Sequence, residues 1–171
     1  MLRHKGQIKE IVVDNYVPVD NVSTPLFSQP FDNSYWVLMM EKARAKAYGS
    51  YKNMAEQGDD VRRVLQEFTF APTDVFKTDN MGKEELWEII TQATTSSGVI
   101  KPMIGYTSNN QNIKWSSVHL TPNHFYTIVG SATLAHKLGS SFKILKLRNA
   151  FKVEEYEGDG SKSDQLFWDQ V

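Results

Sequence analysis

Asn123-His124-Phe125-Tyr126-Thr127-Ile128-Val129-Gly130 and Ile144-Leu145-Lys146-Leu147-Arg148-Asn149-Ala150-Phe151 are the two stretches that decide the fold. Each couples an apolar, β-branched run to one polar residue: a histidine entering the first, an asparagine leaving the second. The runs predict strands over Phe125–Thr133 and Phe142–Arg148. Antiparallel pairing sets the start of one strand beside the end of the next. His124 and Asn149 are therefore expected on the same rim of one sheet.

Working outward, Ile8 to Asp14 reads as another strand, and Ser23 to Asn33, with its prolines, as a loop. Ser34 is placed to cap a helix over Tyr35–Tyr48, with Gly49 as its stop. Trp36, Val37, Met40, Ala43, Arg44 and Ala47 mark its expected inner stripe, with Trp36 and Met40 at the packing centre and Lys42 and Lys46 outside. Asp59 to Leu65 suggests a helical turn, and Phe68-Thr69-Phe70 a short extended piece. A second main helix is expected over Lys83–Ala93, with Leu86, Ile89, Ile90 and Ala93 inward. Val99 to Thr107 reads as an edge strand because of Pro102. Ser108–Ser117 is a polar loop, and Lys152–Tyr156 a further strand. The order is strand, helices, then several strands: an α+β domain over residues 1–171 with a twisted antiparallel sheet and two main helices.

Composition narrows the function classes. The chain has 171 residues, a formal net charge of −1, 40% hydrophobic and 23% charged residues. That is enough chain for one domain with a core. No basic stripe interleaved with aromatics supports nucleic-acid binding. No apolar run reaches the roughly 20 residues of a membrane-spanning helix. There is no cysteine. Disulfides and a thiol nucleophile from these residues are excluded, and a reducing compartment fits.

A His and an Asn at adjacent strand ends can serve a thiol. The imidazole takes the thiol proton, and the resulting imidazolium stabilises the thiolate. The Asn side-chain oxygen accepts the other ring N–H and fixes tautomer and orientation. By spacing alone, His124 is also a surface histidine after a Pro-Asn turn and Asn149 a turn former, the commoner use of these residue types. A zinc site from His4, His119, His124 and His136 lacks the usual ligand spacing.

Six segments in order resemble the second, His/Asn-bearing subdomain of the calpain-type cysteine protease domain, from Lys5 to Trp168. Gly6 to Pro18 is similar to its opening strand and turn. Tyr35 to Tyr51 resembles its central helix, and Leu86-Trp87-Glu88-Ile89-Ile90 its second helix. Asn123-His124-Phe125-Tyr126 sits where the family has Gly-His-Ala-Tyr, and Arg148-Asn149-Ala150-Phe151 where it has Arg-Asn-Pro-Trp. Ser163 to Trp168 is similar to the acidic, Trp-containing segment before the final strand.

The resemblance implies a papain-like fold, a general-base position at His124 and an orienting position at Asn149. Phe151 stands where a Trp shields the His–Asn bond from water. Phe68-Thr69-Phe70-Ala71-Pro72 replaces the family's Thr-Gly-Gly turn in the substrate cleft, and Asn123 replaces a glycine. Subdomains of this kind bind Ca²⁺ through acidic loops. Glu155 and Asp164 match positions of one such site, with Asp159 between them, although a solvated acidic turn is the plainer reading. The implied activity is endopeptidase, with no turnover by this chain alone because the thiol lies elsewhere. The competing implication is a non-enzymatic docking subunit. Both imply an intracellular protein and a partner covering the nucleophile-side face and an open sheet edge left by a missing final strand.

Overall fold

The computed structural model describes residues 1–29, 34–56, 60–95, 101–109, 114–149 and 156–171. It divides into two compact units, Met1–Phe76 and Lys77–Val171. The class is α+β as expected, with five α-helices and two small antiparallel sheets among the described residues; the two helices of 13 residues are the two main ones expected.

The first unit opens with a hairpin of β1 (Leu2–His4) and β2 (Gln7–Lys9), in which His4 faces Gln7. Its two-residue turn, Lys5-Gly6, has φ of 50° and 77°. Two positive φ values give a turn whose twist matches that of the strands it joins. Leu2 is 2% exposed and anchors the unit. The strand expected over Ile8–Asp14 stops at Lys9. Beyond it, lysines of the following helix take up main-chain carbonyls. Lys46 Nζ donates to the Val12 carbonyl at 2.7 Å, and Lys42 to those of Asp14 and Tyr16. Ammonium groups do there what a neighbouring strand would otherwise do.

Helix α1 spans Trp36–Tyr48 and stops at Gly49, whose φ is 93°. Its N-cap position is Tyr35, not Ser34, and no side chain caps it. The buried residues are Leu38 and Ala45, seven apart and thus on one face. Trp36 lies roughly 200° around the helix from Leu38 and is 62% exposed, so it is not the packing centre. Met40 and Lys42 are half-buried and Lys46 exposed. Replacing Trp36 by Ala should change stability by about 0.5 kcal/mol or less. Leu38→Ala should cost about 2–5 kcal/mol. Thermal or urea unfolding of the two variants checks the order, and a larger loss at Trp36 refutes it.

Two helices follow, α2 (Tyr51–Glu56) and α3 (Val61–Thr69). The extended piece expected at Phe68–Phe70 is instead the end of α3. Phe70 caps the helix in the left-handed region, with φ 60° and its N–H on the Gln66 carbonyl. Inside the unit, the Glu67 carboxylate of α3 is 3% exposed. It accepts from Arg44 Nε at 2.7 Å, lies 3.4 Å from Arg63 Nε, and receives the Tyr48 hydroxyl.

In the second unit, α4 (Lys83–Thr95) buries Ile90 and Ala93, with Leu86 and Ile89 half-buried, on the expected stripe. Glu84 and Glu85 occupy its first turn, where the helix dipole favours negative charge. Strands β3 (Met103–Thr107), β4 (His124–Ala135) and β5 (Ser141–Asn149) form an antiparallel sheet in that order, with β3 at an edge. Helix α4 meets β4 through Thr94 Oγ1 and Ser131 Oγ, 2.6 Å apart. The β4–β5 register shifts once, between Ile128 and Gly130, so Val129 is an extra residue, a β-bulge. Short 3-10 turns occur at Thr78–Asn80 and Trp115–Val118, and α5 (Gln165–Trp168) closes the unit. The strand expected at Lys152–Tyr156 falls mostly on residues 152–155, outside the described residues. Among the described residues, no helix is long and apolar enough to cross a membrane.

Candidate functional site

His124 is the first residue of β4 and Asn149 the last of β5. Asn149 stands opposite Tyr126 in the ladder. Cross-strand partners share a face, as do residues two apart, so His124, Tyr126 and Asn149 project from the same face. The two polar side chains meet: His124 Nε2 and Asn149 Oδ1 are 2.8 Å apart. An amide oxygen only accepts, so Nε2 carries the proton. Nδ1 is then the ring nitrogen whose lone pair can take a proton from an acid. This is the tautomer that a base for a thiol requires.

The imidazole is held in a low-exposure setting. His124 is 8% exposed and Tyr126 5%. The edge of one ring meets the face of the other, with centroids 4.8 Å apart and planes at 88°. Asn123, immediately before the histidine, has φ 55°. Asparagine tolerates this left-handed conformation better than other residues with a side chain, which explains how it stands where a glycine was expected. The Tyr106 hydroxyl donates to Asn123 Oδ1.

Phe70 shows the same substitution in a costlier form. It keeps a left-handed backbone where the resemblance expected a glycine-bearing turn, and asparagine's local hydrogen bonding is not available to it. Comparing Phe70→Gly with Phe70→Ala isolates the strain, since both remove the ring. The glycine variant should be the more stable by about 1 kcal/mol. Urea unfolding that finds the alanine variant equal or better refutes a strained Phe70.

The remaining predicted residues separate into two groups. Phe151 and Glu155 lie outside the described residues. Asp164 is placed, and it is a cap: Oδ1 accepts the Phe167 N–H at 3.1 Å and Oδ2 the Gly160 N–H at 3.0 Å. Oδ1 thus caps the start of α5, as in an ordinary N-cap turn, and Oδ2 holds the preceding turn at Gly160. The main-chain oxygen of Asp159 accepts from the Tyr156 hydroxyl at 3.2 Å. Among the described residues, no group of three or more His, Asp or Glu comes together that could hold a metal ion. Of the two expected Ca²⁺ ligands, Asp164 alone lies among the described residues.

Sequence reasoning missed Thr107, whose hydroxyl bonds the His124 main chain, and Thr121, which is held by Thr107 and by the Tyr126 hydroxyl. Only the β3–β4 register, which sets Thr107 opposite His124, would have pointed to the first of them.

The family described as calpain family cysteine protease matches residues 1–171. Human Calpain-14 is 30% identical over 164 residues, covering 94% of this chain and 22% of that protein. The Calpain-1 catalytic subunit of Macaca fascicularis is 23% identical over 166 residues, covering 97% of this chain and 22% of its own length. Human Calpain-9 is 23% identical over 154 residues, 90% of this chain and 22% of its own. The chain thus spans about a fifth of the length of the curated relatives it matches. With a family match over its whole length, the chain belongs to the calpain family of cysteine proteases.

Proposed function

We propose that this chain is the His/Asn-bearing subdomain of a calpain-type endopeptidase, with His124 as general base and Asn149 as its orienting partner. The carrying observation is the 2.8 Å contact between His124 Nε2 and Asn149 Oδ1 at the shared end of β4 and β5. A thiol presented to Nδ1 would lose its proton to the ring, and the ion pair would make the sulfur nucleophilic. Asn149 keeps the ring in the productive tautomer through this step. The sulfur must come from residues outside these 171, which contain no cysteine. Its source is a partner segment packed on the His124 side of the sheet. Phe151, following Asn149 by two residues, is assigned the shielding position. Ca²⁺ dependence enters at the level of the family alone, with Glu155 as the ligand position and Asp164 already engaged as a cap.

A second reading is a non-enzymatic calpain fold that serves as an intracellular docking subunit. It is favoured by Phe70, whose ring and strained backbone occupy a turn read as glycine-bearing in active relatives. The two readings part on whether a thiol reaches His124.

Catalytically, the 171-residue chain should show no turnover of a casein-type substrate, with or without Ca²⁺. Without a thiol there is no group to form the acyl intermediate. Circular dichroism should show it folded. Turnover blocked by a thiol-directed inhibitor, after contaminants are excluded, would refute the assignment of the nucleophile to another segment.

A further inference from the structure

We propose that Thr107 is a positioning residue for His124. The inference deepens the reading of His124 and Asn149 as a catalytic pair and rests on it.

His124 opens β4, and the first residue of a strand is where ladder bonds hold least. Thr107 closes β3 directly opposite it. The His124 N–H donates to a side-chain oxygen, Thr107 Oγ1, at 3.0 Å. That hydroxyl has one proton to give. Its nearer acceptor is the Thr121 carbonyl at 2.6 Å, with the His124 carbonyl farther off at 3.1 Å. One hydroxyl therefore ties the two ends of the turn running from Thr121 to His124.

The same turn is held at a second point. The Thr121 N–H donates to the Tyr126 hydroxyl at 2.9 Å. Tyr126 also sets its ring against the His124 imidazole. The Thr121 residue is thus gripped at its carbonyl by Thr107 and at its amide by Tyr126. Between them Asn123 adopts its left-handed conformation. A displacement of about 1 Å at His124 is enough to break an aligned catalytic geometry. A β-branched side chain with few rotamers suits the task, because its hydroxyl direction is largely preset.

The test reads the ring and not the rate. Proton and nitrogen-15 NMR of the 171-residue chain should show a downfield Nε2–H of His124 that exchanges slowly with water. Asn149→Ala should abolish it. Thr107→Val keeps the shape of the side chain and removes its hydrogen bonding. It should speed exchange of that proton on the order of tenfold or more, although Asn149 is intact. Thr107→Ser should restore the slow proton, which a loss of packing alone would not allow. Should Thr107→Val fail to fold, Tyr126→Phe loosens the same turn from its other side and should also speed exchange. A parental exchange rate in folded Thr107→Val, or in folded Tyr126→Phe if that variant must stand in, overturns the proposal. Persistence of the proton in Asn149→Ala, or its absence from the parent, instead defeats the His124–Asn149 pair itself.

Discussion

Glu67→Ala should destabilise the first unit by about 3–5 kcal/mol, the range for removing one partner of a buried ion pair. The reason lies in what remains behind. Arg44, with a side chain 13% exposed, loses the carboxylate 2.7 Å away. The Tyr48 hydroxyl loses its acceptor as well. Burial, and next the Glu67 carboxylate, push the Tyr48 phenol above its usual range, so it stays protonated and donating. Arg63, more exposed, can turn to water and contributes less. A control separates desolvation from attraction: Glu67→Leu combined with Arg44→Met removes both charges and should recover most of the loss. Urea unfolding followed by circular dichroism measures all three. A loss below about 1 kcal/mol for Glu67→Ala would show the pair to be solvated after all.

The second large effect concerns turnover in an assembly that presents a thiol to His124. There His124→Ala should lower kcat on the order of 10³-fold or more, since the thiol loses the base that ionises it. Asn149→Ala should cost less, because the imidazole can still find the right tautomer part of the time. Their combined variant should be no worse than His124→Ala alone: once the base is gone, orienting it has no value. Steady-state kinetics on a peptide substrate reads these ratios, with KM little changed. If His124→Ala stays within a few-fold of the parent, the general-base assignment is wrong.

The parts of the fold that were legible in sequence are those where local and long-range preferences agree. The β4 and β5 runs are β-branched, end in turn formers and pair with each other, and the register then brings His124 to Asn149. The helix at Lys83–Ala93 kept its stripe for the same reason. Trp36 was misassigned because ring size was weighed above helical phase: Leu38 and Ala45 point inward, and the larger residue does not. Phe68-Thr69-Phe70 favours strands by residue type, yet it follows Val61 to Glu67 without a break and continues that helix. No glycine announced the left-handed cap at Phe70. The first hairpin was missed because Lys5-Gly6 is a weak turn signal beside Asn-Gly. Within the site, Thr107 is 17 residues from His124, and only the pairing of β3 with β4 brings them together.

Val129 gives the sheet two phases in one strand. From His124 to Ile128 the face that carries His124 counts even positions; beyond the bulge, with Ser131 facing Leu145 and Thr133 facing Lys143, the same face counts odd ones. The site end and the hairpin end are each in step with β5, but not with each other. Val129 is the residue that reconciles them. Without that one spare position, keeping the hairpin in step would turn His124 to the far side of the sheet, away from Asn149. The meeting of the two polar side chains is thus encoded in a count of residues as much as in their identities, and a valine with no chemistry of its own keeps the count.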